Sequence, residues 1–235
     1  MIEFLCIHCA DKLPSEWDEL TENWFQQVTF LIHCEKYNSC SQRYYLARED
    51  GKLVAAAIVY TLRIDILTYL KIKSPLKMHI VGIPCSVSSE GIFGNKLEKE
   101  ELKKHIYKVE KGFILILNLK EKNNYPSQIS LKTLPTVVMS NHYTDWQHYI
   151  NSLRTGYRRR LKLINQHDSE LQFEKMLCSE FTETMYQQYL EVFKRSNGKL
   201  EKLSIDFFKH LPSDFILTVC SVSYTHLTLP TIYSV

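Results

Sequence analysis

The sequence predicts a mixed α/β fold. Short apolar, strand-like runs alternate with helix-period segments through the first 140 residues. A strong hairpin signal, Glu49-Asp50-Gly51-Lys52, joins two of those runs. The composition, 45% apolar and 23% charged over 235 residues, is that of a globular chain and excludes disordered, collagenous and disulfide-scaffold classes. The length suits one large domain, or one domain and part of a second. A net charge of +3 does not point to a dedicated nucleic-acid binder but allows a local basic site.

Residues 2 to 9 read as a strand that Leu13-Pro14-Ser15 ends. Ser15 is placed to cap a helix carrying Trp17, Leu20, Trp24, Phe25, Val28 and Leu31. Gln42 to Arg48 reads as a strand. Asp50-Gly51 then supplies the positive φ of a primed turn. The return strand, Leu53 to Tyr60, is nearly all apolar, as a strand buried on both faces would be. Further strands are expected at Lys77 to Val81, Phe113 to Leu119 and Val137 to Ser140. Between them, Lys96 to Lys111 reads as a surface helix with Leu97, Leu102, Ile106 and Val109 apolar and its charges solvated.

Tyr125-Pro126-Ser127 and Leu134-Pro135 bracket a connection, after which the character changes. Thr144-Asp-Trp-Gln147 fits a capping box. It opens a helix with Trp146, Ile150, Leu153, Tyr157, Leu161 and Ile164 on one face. Glu170 to Met176 reads as a strand, and Phe181 to Ser196 as a helix stopped by Asn197-Gly198. Ser204 caps a short helix holding Phe207 and Phe208, and Phe215 to Cys220 begins another strand. From Val222 the chain reads Val-Ser-Tyr-Thr-His-Leu-Thr-Leu-Pro-Thr231, which resembles a translated transposase sequencing adapter. Residues 222–235 are therefore set apart as an adapter-derived tail, the natural chain being expected to stop near Cys220 or Ser221. The other reading is a natural strand of good β-formers.

The segment richest in chemistry is Trp146 to Lys162. Arg154, Arg158 and Lys162 recur at i, i+4 and i+8 beside the apolar face, and Arg159 and Arg160 widen the stripe. Guanidinium groups stay charged and bind phosphate or carboxylate with paired donors. The plainer reading is a solvated helix exterior. Tyr157 suits a core role and is carried with the arginines as a contact residue. Gly156 costs a helix about 1 kcal/mol relative to Ala, which hints at close packing or ligand approach.

The Trp-x-x-Tyr-Ile-x-x-Leu helix, the Tyr157-Arg-Arg-Arg-Leu161 run, and Tyr186-x-x-Tyr-Leu-x-Val-Phe-Lys-Arg-Ser196 carry a family likeness. So do Asp206-Phe-Phe-Lys-His-Leu211, Leu13-Pro14 before a Trp helix, Gly51-Lys-Leu-Val-Ala-Ala56 and Val81-Gly-Ile-Pro-Cys-Ser86. Together they resemble the FemAB-like proteins of the GNAT acyltransferase superfamily. The resemblance implies tandem GNAT-like halves with mixed sheets flanked by helices: a first half over 1–140 and the start of a second over 141–221, left incomplete. It implies transfer of an acyl or aminoacyl group to an amine, on a cell-wall or peptidoglycan precursor for instance, with acyl-CoA or aminoacyl-tRNA as co-substrate. It raises Arg154 and Arg158, with Lys162, as contacts for an anionic substrate or donor, and makes Arg195, in Lys194 to Asn197, a secondary candidate. Transfer itself requires an oriented amine, a base or water, and a backbone N–H for the oxyanion. No residue is nominated as the base.

One departure bears on the donor. An Arg/Gln-x-x-Gly-x-Gly/Ala pyrophosphate loop is missing, and Gly91-Ile-Phe-Gly94 has the wrong spacing. As an incomplete half, the chain is expected to be inactive alone. The alternative is a non-catalytic GNAT-like binding module that recognises an anionic cell-envelope precursor or partner. No stable nucleic-acid partner is expected, tRNA entering only as donor. A weaker third reading makes the arginines a nucleic-acid contact.

Cys6, Cys9, Cys34 and Cys40, with His8 and His33, invite a zinc site. Strand alternation points Cys6 and Cys9 to opposite faces, and buried structural thiols with no metal are expected instead. His142, His148 and His167 lie near the basic helix, where a surface or capping role is expected. Seven cysteines in no tidy pattern, no signal segment and no apolar run near the roughly 18 residues of a membrane span lead to the expectation of a reduced, cytoplasmic chain. The oligomeric state stays open.

Overall fold

A computed structural model describes residues 2–38, 40–65, 75–85, 87–119, 129, 139, 142–166, 171–196, 201–222 and 228–234. In chain order the elements are β1 (Ile2–Ile7), α1 (Glu16–Leu20), α2 (Val28–Tyr37), β2 (Arg43–Glu49), β3 (Lys52–Asp65), β4 (Pro75–Val81), β5 (Ile92–Gly94), α3 (Lys96–Val109) and β6 (Phe113–Ile116). Then follow α4 (Trp146–Ser152), α5 (Thr155–Gln166), β7 (Leu171–Leu177), α6 (Glu183–Arg195), α7 (Ile205–Lys209), β8 (Phe215–Val222) and β9 (Thr228–Ser234). They form two compact units, Met1–Thr133 with Arg195–Pro212, and Leu134–Lys194 with Ser213–Val235. The mixed α/β class expected from the alternation is the one observed.

The first unit is built on a six-stranded mixed sheet in the order β1-β2-β3-β4-β6, with β5 added to β3. All pairings are antiparallel except β4 with β6, which are parallel and joined through α3. Asp50 (φ 49°) and Gly51 (φ 79°) make the two-residue primed turn between Glu49 and Lys52 that the sequence predicts. From Leu53 to Tyr60 every residue of β3 is buried. Its alternate side chains serve two cores. Ala55, Ala57 and Val59 join Tyr45, Ala47, Val81, Leu102 and Ile106 on the face covered by α3. On the other face, Trp17 of α1 meets Tyr44 and Phe93 edge-on at 5.6 and 5.3 Å.

Glycine is required where strands crowd. A Cβ on Gly91 would stand 2.3 Å from Gly82 Cα, and one on Gly94 (φ 111°) 2.4 Å from the Val54 carbonyl oxygen. Gly91-Ile-Phe-Gly94 therefore serves β5 packing.

Several elements depart from expectation. The long N-terminal helix is two helices separated by a 3-10 turn at Trp24–Gln26. Asn23 caps that turn, accepting from Phe25 N–H, while the Gln26 amide oxygen accepts from Glu22 and Asn23 N–H. Ser15 makes no side-chain cap. Leu97 and Val109 on α3 are exposed, and Lys103, whose charge was expected in solvent, is buried with Leu102 and Ile106 and paired with Glu100. Ser204 does cap α7, accepting from Phe207 N–H at 3.1 Å.

The second unit carries the antiparallel sheet β7-β8-β9. Phe215, Leu217 and Val219 alternate inward along β8, with Cys178 and Phe181 also buried. The helix expected from Trp146 onward is divided into α4 and α5 by an extended Leu153 (ψ 148°). Asp145 caps α4 in place of Thr144: its carboxylate accepts from His148 N–H at 2.7 Å, and the Thr144 hydroxyl donates to the other carboxylate oxygen. The break splits the apolar face. Trp146 is 62% and Tyr157 56% exposed, and none of the six residues expected there is buried. Apart from the isolated Ile129 and Met139, both exposed, the expected strand at Val137 to Ser140, the connection at Tyr125 to Pro135 and the Asn197-Gly198 stop lie outside the described residues.

Candidate binding face and buried polar cluster

Helix α5 opens on Thr155 and Gly156 and continues through a run of residues that form helices readily. Arg154 stands just before it, its carbonyl accepting from Tyr157 N–H at 2.9 Å and Arg158 N–H at 3.1 Å. Arg154, Arg158 and Lys162 thus follow one another along about 12 Å of a single helical edge. All three are exposed. Arg158 Nη2 donates weakly to Thr155 Oγ1 at 3.4 Å, and the Arg160 guanidinium lies 6.0 Å from the Tyr157 ring centroid. Among the described residues, no carboxylate pairs with Arg154, Arg158 or Lys162. Such a row can take up an external phosphate or carboxylate without first breaking an internal ion pair. Arg195 closes α6, is exposed, and falls among the residues of the first unit.

Two histidines considered near this helix have local roles. His148 Nδ1 faces the Thr144 backbone N–H and hydroxyl at 3.4 and 3.3 Å, and His142 packs on the Tyr143 ring. His167 lies outside the described residues. Gly156 has open space around its missing Cβ, so close packing does not explain it. At the start of α4, Met139, Tyr143, Asp145, Trp146 and Tyr149 line a cavity of about 400 Å³.

The first unit holds a polar cluster that the sequence did not reveal. Arg43 (β2) donates from Nε to Glu110 Oε1 at 2.7 Å, and the Tyr45 hydroxyl donates to the same oxygen at 2.8 Å. Arg43 Nη2 lies 2.8 Å and Thr61 Oγ1 3.1 Å from His79 Nδ1. Arginine only donates, so Nδ1 accepts and the ring is neutral with its proton on Nε2. Glu110 and His79 side chains are each 9% exposed. Burial alone would raise the Glu110 carboxyl. Hydrogen bonds from Tyr45 and Arg43, with the guanidinium charge, outweigh it and hold the group below the usual carboxylate range. Burial lowers His79, with Glu110 opposing and Arg43 reinforcing the effect. Beside the cluster, His8, Glu35, Asn38, Ser41, Gln42 and Arg43 line a cavity of about 540 Å³. Glu35 accepts there from Ala10 N–H and the Tyr44 hydroxyl.

The cysteines split by position. Cys34 and Cys40 are buried as expected of structural thiols, and so is Cys178, but Cys6 is exposed on the edge strand β1 and Cys9 is half-buried just past it, before the 3-10 turn Ala10–Lys12. Among the described residues no His, Cys, Asp and Glu side chains cluster as a metal would require. Nor is any described helix long and apolar enough to cross a membrane. The chain matches no family model, no curated protein and no solved structure.

Proposed function

We propose that this chain is a FemAB-like GNAT protein whose chemistry is acyl or aminoacyl transfer to an amine, and that Arg154, Arg158 and Lys162 engage the anionic part of the donor or of a cell-wall precursor. Tyr157 contributes ring contact, and Arg195 is a secondary contact. The observation that carries the reading is the exposed row of cations along one edge of α5, paired with no carboxylate among the described residues, in the run that bears the family resemblance. The mixed sheet with helices on both faces supports the same reading. A cytoplasmic location accords with seven free thiols.

Coenzyme A, inorganic pyrophosphate and aminoacyl-tRNA are the probes, with binding followed by calorimetry across a salt series. Transfer is followed by release of the coenzyme A thiol or loss of aminoacyl label in the presence of an amine-bearing peptidoglycan precursor. At least one probe should bind, and Arg154→Ala with Arg158→Ala should weaken it at least tenfold, about the value of one charge-assisted hydrogen bond. Equal affinity in wild type and the double variant for all three probes would refute the assignment.

The second reading is a binding module without catalysis. It is favoured by the absence, among the described residues, of a histidine or carboxylate hydrogen-bonded to the three cations. Transfer by the chain would refute it.

A further inference from the structure

We propose that Cys34 and Cys85 are a thiol pair that a hydroperoxide converts to an intramolecular disulfide, tying α2 to the turn after β4. The two sulfurs, 51 residues apart in sequence, stand 3.9 Å from each other in the first unit. Closing to the roughly 2.0 Å of a disulfide needs a shift within reach of side-chain rotation. Cys85 sits at φ 66°, a left-handed conformation unusual for a residue with a Cβ, and this backbone carries its sulfur to face α2. The site is prepared on the helix side as well. Asn38, just past α2, donates from Nδ2 to Cys85 Sγ at 3.6 Å, and its other tie runs to Glu201 at 3.1 Å.

The order of events follows from access. Cys85 is half-buried and Cys34 fully buried. Burial, with Cys85 beside it, pushes the Cys34 thiol up and keeps it protonated. Cys85 therefore reacts first. Its sulfur attacks one oxygen of the hydroperoxide, the O–O bond breaks, and the other oxygen leaves as alcohol or water with the thiol proton. The resulting sulfenic acid is attacked by Cys34. The S–O bond breaks, the hydroxyl leaves as water with the Cys34 proton, and the disulfide forms. Two thiols have then lost two electrons and two protons to one peroxide. Cys40 is the buried neighbour that could compete, but its thiol is engaged with Gln42 Oε1 at 3.6 Å. Asn38 also lines the larger cavity, so oxidation acts on one of its walls.

The test is oxidation of the reduced full chain with stoichiometric hydrogen peroxide, followed by thiol counting and non-reducing peptide mass spectrometry. The expected product is monomeric, has lost two of seven thiols, and contains a Cys34–Cys85 crosslink reversed by reductant. Cys34→Ser should leave Cys85 as a sulfenic acid trapped by dimedone, and Cys85→Ser should remove the crosslink. Pairing of Cys34 with Cys40, crosslinks confined to the exposed Cys6, or overoxidation of Cys85 with Cys34 still a thiol would each overturn the proposal. The crosslink is read in the wild-type chain, so poor folding of either serine variant leaves the test intact.

Discussion

His33 makes the stability of the first unit depend on pH. It lies on the inner face of α2, 5% exposed, with Phe207 edge-on at 4.6 Å, Tyr37 at 5.0 Å and Phe30 at 6.4 Å between ring centroids. Among the described residues its Nε2 has no hydrogen-bond partner. Burial lowers its pKa from 6.5 to about 4, the charges of nearby His210 and Lys36 acting the same way and two backbone contacts opposing. The unfolded chain therefore binds a proton near pH 6.5 that the folded chain refuses until about pH 4. Stability is complete above 6.5 and is lost as pH falls through that window. At about 1.36 kcal/mol per pH unit, the loss is about 0.8 kcal/mol at pH 6 and about 2 kcal/mol at pH 5, levelling near 3 kcal/mol below pH 4. His33→Phe keeps an aromatic ring in the pocket and removes the titration. Urea unfolding from pH 7 to 5 measures both proteins, with Trp146→Phe in each so that fluorescence reports Trp17 and Trp24 of the first unit. The difference between them should grow by about 2 kcal/mol on going to pH 5, common carboxylate effects cancelling. Parallel pH profiles would show that the imidazole is protonated inside the fold and that the burial argument is wrong.

Glu110→Gln should cost about 3 kcal/mol at pH 7, because it leaves Arg43 without its counterion in a site 9% to 16% exposed; chemical unfolding measures it, and a loss under 1 kcal/mol would mean water already screens the pair. The wild-type Glu110 contribution is present above the unfolded carboxylate pKa and disappears as pH falls below it, so the penalty should shrink toward pH 3. Gly94→Ala and Gly156→Ala should move melting temperature in opposite directions. The first forces a Cβ against the Val54 carbonyl at positive φ, while the second adds a methyl in open space on a helix and should gain up to about 1 kcal/mol. If Gly156→Ala also weakened probe binding by tenfold, ligand approach would be the reason for that glycine.

Local signals are legible in this sequence and distributed ones are not. Asp50-Gly51 dictates its turn through backbone sterics alone, and the apolar density of Leu53 to Tyr60 announces a strand with two buried faces. Helix continuity misled at Trp17 to Leu31 and at Trp146 to Ile164. Apolar spacing survives across a 3-10 turn or one extended residue, so period alone cannot see the break at Thr21 to Asn23 or at Leu153. The basic row was legible because its members share one helix. The Arg43–Tyr45–Thr61–His79–Glu110 cluster was not, since it gathers residues up to 67 positions apart from separate elements. One signal was available. Glu110 caps the C-terminus of α3, where the helix dipole disfavours a carboxylate, so a cationic partner from elsewhere was implied.

Strand β3 meets β2 along one edge and both β4 and β5 along the other, with small side chains at Ala55, Ala56 and Ala57 letting cover approach from above and below. Its backbone amides have no route to solvent that spares the rest of the sheet. Deuterium should enter them last, at the rate of whole-unit opening, and that residue stretch then serves as an internal clock for the stability of everything folded around it.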